Sequence, residues 1–137
     1  MTYSIEKNEQ YALIRLDEAD FGGDIPAQFE TLARTLFREG YSNIIVDLEA
    51  TQLLDDEALT IIGRINRQCT NEVGLLILVT KDEELIDELD LANIADLTIL
   101  PTVEEAIDAV FMNELENDFR NEDDNEYDGG SGRESDY

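Results

Sequence analysis

The sequence of 137 residues has no histidine, no tryptophan and a single cysteine, Cys69. The lack of histidine excludes Ser-His-Asp catalysis and histidine-containing zinc sites. One cysteine cannot form an internal disulfide, and Cys69 falls on the apolar side of a helical pattern, which predicts a buried and unreactive thiol. No segment approaches the ~18 consecutive apolar residues of a membrane span. Hydrolases, disulfide scaffolds and membrane-spanning proteins are therefore disfavoured.

Basic residues are also scarce, and their shortage gives the chain a net charge of −25. There are 34 acidic residues against 9 basic ones, and the only lysines are Lys7 and Lys81. Nucleic acids and anionic lipids attract Lys and Arg, so the sequence predicts neither as a direct partner. A protein partner with a basic surface fits the charge better, although adaptation to a salty cytoplasm would leave the same composition.

The chain does have enough apolar material, 42% of its residues, for one buried core without disulfides or metal. Its first residues show no positively charged region followed by an apolar segment, so a soluble cytoplasmic protein is expected. The apolar periodicity predicts the element order β-β-α-β-α-β-α-β-α. Expected strands cover residues 3–5, 11–16, 44–48, 73–79 and 97–100, and expected helices cover 27–39, 58–69, 83–89 and 102–112. This order favours an α/β fold whose mixed, mostly parallel sheet has about five strands and about four helices.

The segment from Asn43 to Cys69 is the part around which the rest is organised. An apolar strand ending near Asp47 leads, after a short loop, into the acidic triplet Asp55-Asp56-Glu57 and then into a helix. Carboxylates at a helix start are favoured by its free N–H groups and partial positive charge, so the triplet has a structural explanation of its own. Consecutive helical residues point in different directions, which disfavours a metal site or a catalytic carboxylate pair. Asp47 is expected to support the loop rather than to react.

The last helix is predicted from a capping signal and an apolar face. Thr102 and Glu105 have the spacing of a capping box, and the helix is expected to run to about Met112. The residues expected on its inner face are Val103, Ala106, Ile107, Val110 and Phe111.

The remaining residues form a strongly acidic tail. Residues 113–137 carry ten acidic and two basic residues and a glycine-rich run, so we expect disorder there. Leu115 and Phe119 are exceptions, which would either extend the last helix or form a short partner-binding motif. The predicted organisation is thus one domain over residues 1–112 followed by an acidic tail over 113–137.

Between residues 3 and 112 the order of elements and two short motifs resemble the STAS domain. The hallmark of that family is an apolar strand ending in Asp-Leu, a short loop, and Asp-Ser-Ser-Gly-Leu at the start of a helix. Here Val46-Asp47-Leu48 is followed by Leu53-Leu54-Asp55-Asp56-Glu57-Ala58-Leu59, and Val103-Glu104-Glu105-Ala106 resembles the family's closing helix. The resemblance implies the fold of bacterial anti-sigma factor antagonists, which also occurs in stress-signalling complexes, anion transporters and a lipid-transport system.

The acidic triplet departs from the family pattern at the residue that matters most. In the family, the first Ser after the Asp accepts a phosphoryl group from a kinase that is also an anti-sigma factor. The resemblance places Asp56 at that position, with Glu57 at the second Ser. Asp56 has no hydroxyl, so Ser-type phosphorylation is excluded there, and its single charge imitates phosphoserine only in part. The module is either fixed in a state resembling the phosphorylated form or, as we prefer, docks on a cationic partner surface.

These observations and the resemblance predict a non-catalytic regulatory interaction module, similar to an anti-sigma factor antagonist, that needs no cofactor or metal. Its partner would be a protein with a basic surface, either an anti-sigma factor with kinase activity or a scaffold. The expected partner-binding residues are Asp24, Thr51, Leu54, Asp55, Asp56, Glu57 and Thr60.

Several alternatives stay open at this point. The chain could instead be a STAS accessory subunit of a membrane transport or lipid-transport complex, or an assembly subunit that forms a homo-oligomer. Thr51 and Thr60 are the hydroxyls nearest the triplet, so either could be a displaced phosphorylation site, but ordinary exposed threonines are favoured. Ser131 and Ser135 in the tail are weaker candidates.

Overall fold

The computed structural model describes residues 1–128, with side chains described through Phe119. The strands are β1 (Tyr3–Lys7), β2 (Ala12–Leu16), β3 (Asp20–Phe21), β4 (Ile44–Asp47), β5 (Leu53–Leu54), β6 (Leu76–Val79) and β7 (Thr98–Leu100). The helices are α1 (Ile25–Arg38), α2 (Asp56–Asn71), α3 (Glu83–Leu91) and α4 (Val103–Asp128).

Five of these strands form one sheet in the order β1-β2-β4-β6-β7. The β1 and β2 strands form an antiparallel pair, and every other neighbouring pair in this sheet is parallel. The predicted mixed, mostly parallel sheet with four helices is therefore confirmed. Helices that connect parallel strands must cross over the sheet, which accounts for the alternation of strands and helices along the chain.

The sheet is covered on both faces. Helices α1, α2 and α3 pack on one face, against strand residues such as Ile14, Val46 and Leu78. Helix α4 covers the other face, against Leu13 and other strand residues that point the opposite way. All residues of β4 and β6 are buried, as expected for central parallel strands. The carboxyl ends of the parallel strands therefore meet at one edge, where the loop after β4 lies.

Asn43 joins three segments at the opposite edge of the sheet. Its side chain is 2% exposed; Oδ1 accepts a hydrogen bond from the Leu75 N–H at 2.9 Å, and Nδ2 donates to the Gln10 carbonyl at 2.8 Å. A buried amide with both ends satisfied stabilises a structure rather than weakening it. At the same edge Gly74 lies so close to the backbone of Ser42 that a Cβ atom would collide with the Ser42 carbonyl oxygen.

The strand predicted over residues 73–79 begins three residues later, at Leu76. Helix α2 ends in a tight turn in which Val73 has a φ of 62° and the Gly74 N–H donates to the Cys69 carbonyl at 2.8 Å. This turn uses backbone groups that a longer strand would need. The apolar run therefore placed the start of this strand too early.

The predicted end of the last helix near Met112 is wrong, because α4 continues to Asp128. Asn113 and Asn117 each donate a side-chain hydrogen bond to the Val73 carbonyl, which attaches this part of the helix to the domain without apolar burial. Phe111, predicted on the inner face, is 43% exposed instead. The boundary at residue 112 remains a prediction, and residues 129–137, with Ser131 and Ser135, lie outside the described residues.

The length of α4 does not make it a candidate membrane span. Within residues 1–128, no helix is both long enough and apolar enough to cross a bilayer.

The start of α4 is capped by Thr102. The Thr102 hydroxyl accepts a hydrogen bond from the Glu105 N–H at 3.1 Å, which confirms the predicted capping contact.

Cys69 is fully buried on the inner face of α2, as the sequence predicts. Burial, with a smaller contribution from the nearby Glu72 carboxylate, raises the pKa of this thiol from 9.0 to about 12. We expect Cys69 to react with a thiol reagent only as fast as the domain opens, even at about pH 10, where a free cysteine is ionised. The measurement compares labelling in native buffer and in denaturant. Rapid labelling of the native protein at about pH 8 would contradict this placement.

Candidate functional site

The acidic triplet lies at the carboxyl edge of the parallel strands, at the start of α2. The Asp55 side chain caps that helix, with Oδ1 accepting a hydrogen bond from the Ala58 N–H at 2.8 Å. Asp56 and Glu57 follow in the first turn and are both exposed. The three carboxylates therefore have different roles, since Asp55 caps the helix while Asp56 and Glu57 face solvent.

A short second sheet holds the loop before β5 against the loop after β2. The β3 and β5 strands pair in parallel, with Asp20 opposite Leu53 and Phe21 opposite Leu54. The Ala19 carbonyl accepts from the N–H groups of Gln52 and Leu53, at 2.8 and 3.1 Å. None of the strands predicted from the sequence includes these residues, because two-residue strands are too short to show any periodicity.

The Gly22-Gly23 turn closes over Asp55. The Gly23 N–H donates to Asp55 Oδ2 at 3.2 Å, and a Cβ added at Gly22 would lie 3.0 Å from the same oxygen. Gly23 itself has a φ of 62°, a conformation that favours glycine. One carboxylate thus ties the turn before α1 to the start of α2, and brings Asp24, which follows Gly23, to the same edge. The paired glycines were the available signal for this close approach.

The structure does not place Thr51 with the other predicted partner-binding residues. Its side chain is 1% exposed, and its hydroxyl donates to the Glu18 carbonyl at 2.9 Å. The prediction of an exposed threonine that contacts a partner is therefore wrong, because the hydroxyl is used to hold the two loops together. Thr60 is exposed, and its hydroxyl donates to the Asp56 carbonyl at 3.1 Å within α2.

Asp47 supports the loop after β4, as predicted. Its side chain is 7% exposed, with Oδ2 3.0 Å from Arg15 Nη1 and Oδ1 accepting from the Glu49 N–H at 3.0 Å. Both oxygens are thus engaged, which fixes the end of β4 in front of the triplet.

The two leucines of β5 differ in exposure. Leu53, which was not among the predicted partner-binding residues, is 58% exposed, whereas Leu54, which was, is half-buried.

We call the exposed carboxylates at this edge, Asp24, Asp56 and Glu57, the acidic ledge. Within the described part of the chain, none of the three forms a salt bridge with a basic side chain. Nor do any three or more His, Cys, Asp or Glu side chains among the described residues group in a way that could hold a metal ion. The ledge is therefore a surface of fixed negative charge available to a cationic group.

A groove lies along α2, beginning one turn after Asp56. It has a volume of about 770 Å³ and lies between α2 and the segment that follows α3. Leu59 and Thr60 line it at the end near the ledge, and Arg64 and Arg67 lie further along. The groove is open rather than enclosed and is lined along α2 from Leu59 to Thr70, which suits a protein segment better than an enclosed small molecule.

Comparison with known proteins agrees with this architecture. The family model of the STAS domain matches residues 2–106. The chain belongs to the STAS domain family. The curated proteins contain no significant match to this STAS protein.

Solved structures share its fold. A protein from Thermotoga maritima that is assigned as an anti-sigma factor antagonist is 20% identical, with a TM-score of 0.70 over 79% of this chain and 93% of its own. The phosphorylated Bacillus cell fate determinant SpoIIAA is also 20% identical, with a TM-score of 0.63 over 80% and 99% of the two chains. A protein of the stressosome, a signal integration and transduction hub, is 14% identical, with a TM-score of 0.59 over 78% and 95%. At these identities the likeness establishes the STAS fold and leaves function to be argued from the site.

Proposed function

We propose that this STAS protein is a non-catalytic regulatory module that docks through the acidic ledge onto a cationic surface of a partner protein, in the manner of an anti-sigma factor antagonist. The observation that carries the proposal is the division of roles in the triplet. Asp55 is engaged in holding the loops, whereas Asp56 and Glu57 are exposed and free of salt bridges among the described residues. The Thermotoga maritima protein and SpoIIAA, an anti-sigma factor antagonist, share the fold and support this class of partner.

Asp56 would give the ledge a permanent charge. The resemblance to the family assigns Asp56 to the position of the phosphoacceptor Ser, and a residue without a hydroxyl there cannot be switched by Ser-type phosphorylation. The proposed module therefore differs from a Ser phosphoswitch, because the fraction of partner bound would be set by changes in the partner or by the abundance of the module. Its place of action is proposed to be the cytoplasm.

The overall charge favours a basic partner. A net charge of −25 produces a long-range field that accelerates encounter with cationic proteins and slows encounter with acidic ones. The ledge would then select, from among basic partners, one whose cation fits opposite Asp56 and Glu57. Association should slow as salt is added, because salt screens exposed charges.

The first test is capture of a partner by the immobilised full chain, followed by a binding measurement with the purified partner. We expect Asp56→Lys to weaken binding about ten-fold or more, because it replaces an attraction with a like-charge repulsion. Glu9→Lys is the matched control. It makes the same charge change at an exposed residue in the turn between β1 and β2, at the opposite edge of the sheet. Thermal unfolding should be similar in both variants.

Two results would count against the proposal. Equal binding by Asp56→Lys and the unmodified chain would remove the ledge from the interface. Capture of a subunit of a membrane transport complex, in place of a soluble regulator, would favour the transporter accessory role. Light scattering on the free chain measures its molar mass and tests for simple self-assembly, which would give an oligomer without any partner.

A further inference from the structure

Helix α4 changes the side on which it carries apolar residues. Up to Val110 its apolar side chains face the sheet, and Ala106 and Val110 are fully buried there. Beyond Val110, four large apolar side chains are exposed by 43%, 58%, 53% and 64%; they are Phe111, Met112, Leu115 and Phe119. We call these four residues the outer stripe.

Two hydrogen bonds fix the direction in which the outer stripe points. Asn113 and Asn117 both donate from Nδ2 to the Val73 carbonyl, at 3.2 and 3.0 Å. These two residues continue the inward face of Ala106 and Val110, since all four are separated by three or four positions. The outer stripe has the same spacing but is offset by about half a helical turn, so it faces away from the domain.

From its start to Phe119, the last residue whose side chain is described, helix α4 carries charged residues of one sign only. Residues 103–119 include six acidic side chains and no basic one: Glu104, Glu105, Asp108, Glu114, Glu116 and Asp118. An apolar strip with a charged rim is the usual form of a surface that receives an amphipathic helix. Here the rim has a single sign, which specifies the charge of the helix that fits.

A second copy of the chain is a poor occupant for this surface. Packing two α4 helices against each other would bring two acidic rims together, in molecules that each carry a charge of −25. Like charges placed opposite each other across an interface cost several kcal/mol. A helix with leucine-like residues on one face and lysine or arginine beside them would meet attraction at both the stripe and the rim.

We infer that the outer stripe binds a basic amphipathic helix of a partner protein, with apolar residues on Phe111, Met112, Leu115 and Phe119 and cations against the acidic rim. This surface lies on the α4 face of the sheet, whereas α2 and its start lie on the other face. The inference therefore does not depend on the function proposed for the acidic ledge. It would give the domain a second, separate contact.

The test uses three synthetic peptides of about 18 residues and the full-length chain, with binding followed by fluorescence anisotropy. The first peptide has leucines on one helical face and lysines beside them. The second has glutamates in place of the lysines, and the third has the composition of the first in scrambled order. We expect the first peptide to bind about ten-fold or more tightly than either of the others, because only it matches both the stripe and the rim.

Matched variants assign the binding to the outer stripe. Leu115→Glu should weaken binding of the first peptide about ten-fold, since it places a charge at the centre of the apolar contact. Leu91→Glu makes the same change at a residue that is 85% exposed at the end of α3, and should leave binding unchanged. Asp56→Lys should also have no more effect than Glu9→Lys, which separates this surface from the acidic ledge.

Three results would overturn the inference. Equal binding of the scrambled peptide would mean that charge alone attracts it. Unchanged binding by Leu115→Glu would place the contact elsewhere. A free chain that is dimeric, and becomes monomeric on Leu115→Glu, would show that a second copy covers the stripe.

Discussion

Replacing Gly74 with alanine is expected to destabilise the domain by about 3 kcal/mol, because the new methyl group would collide with backbone that has no room to move. The Cβ would meet the Ser42 carbonyl oxygen, and the next residue, Asn43, is held by hydrogen bonds to Leu75 and Gln10. Removing this clash would require the start of β4 to shift away from β6. Urea unfolding measures the loss of unfolding free energy. In thermal unfolding, the same loss should lower the melting temperature by about 10 °C.

Gly63→Ala is the matched control for this substitution. Gly63 lies in the middle of α2, and nothing among the described residues lies within 4 Å of the Cβ it would gain. Alanine favours helix over glycine by about 1 kcal/mol, so this variant should be slightly more stable than the unmodified chain. Opposite signs for the two variants are therefore expected. A Gly74→Ala protein as stable as the parent would show that the turn after α2 is looser than the structure indicates.

The contrast between these glycines also shows what sequence can reveal. The α2 pattern, with Ile61, Ile62, Ile65 and Cys69 at spacings of three and four, predicts the helix and its buried face correctly. The central strands were equally clear, because buried parallel strands are continuous apolar runs. Nothing in the sequence indicates, however, that Gly74 has no room for a side chain whereas Gly63 does. Their difference depends on Ser42, a contact between residues far apart along the chain.

The candidate site was predictable in the same uneven way. The position of the acidic triplet at a helix start follows from local sequence, and Asp55 as the cap follows from the preference of helix starts for Asp. The burial of Thr51 and the pairing of β3 with β5 do not follow from local sequence, because each depends on backbone groups in the segment that follows β2. The extension of α4 depends likewise on Val73, which the helix reaches only in the folded chain.

Asp55→Ala is expected to lower the free energy of unfolding by about 2 kcal/mol. About half of the loss would come from the helix cap on Ala58, and about half from the hydrogen bond to Gly23. Asp55→Asn keeps one acceptor oxygen for the cap but turns an N–H₂ group toward the Gly23 N–H. It should therefore cost about 1 kcal/mol.

Hydrogen exchange separates the two contributions. The Ala58 amide should lose protection in Asp55→Ala only, whereas the Gly23 amide should lose it in both variants. Asp24→Ala is the control, because Asp24 occupies the same position before α1 but makes no side-chain capping bond within the described structure. Its effect on stability should stay within about 0.5 kcal/mol. Equal losses for Asp55→Asn and Asp55→Ala would mean that charge, rather than geometry, is what Asp55 contributes.

The same pair of variants bears on the acidic ledge. Asp55 holds the Gly22-Gly23 turn, so releasing that turn frees Asp24 to move relative to Asp56 while leaving both charges in place. If the ledge binds by its fixed shape, Asp55→Asn should weaken partner binding through faster dissociation, with little change in the association rate. Asp56→Lys should instead slow association and make the association rate less sensitive to salt, because less attraction is left for salt to screen. These two kinetic patterns distinguish a residue that positions the ledge from one that provides its charge.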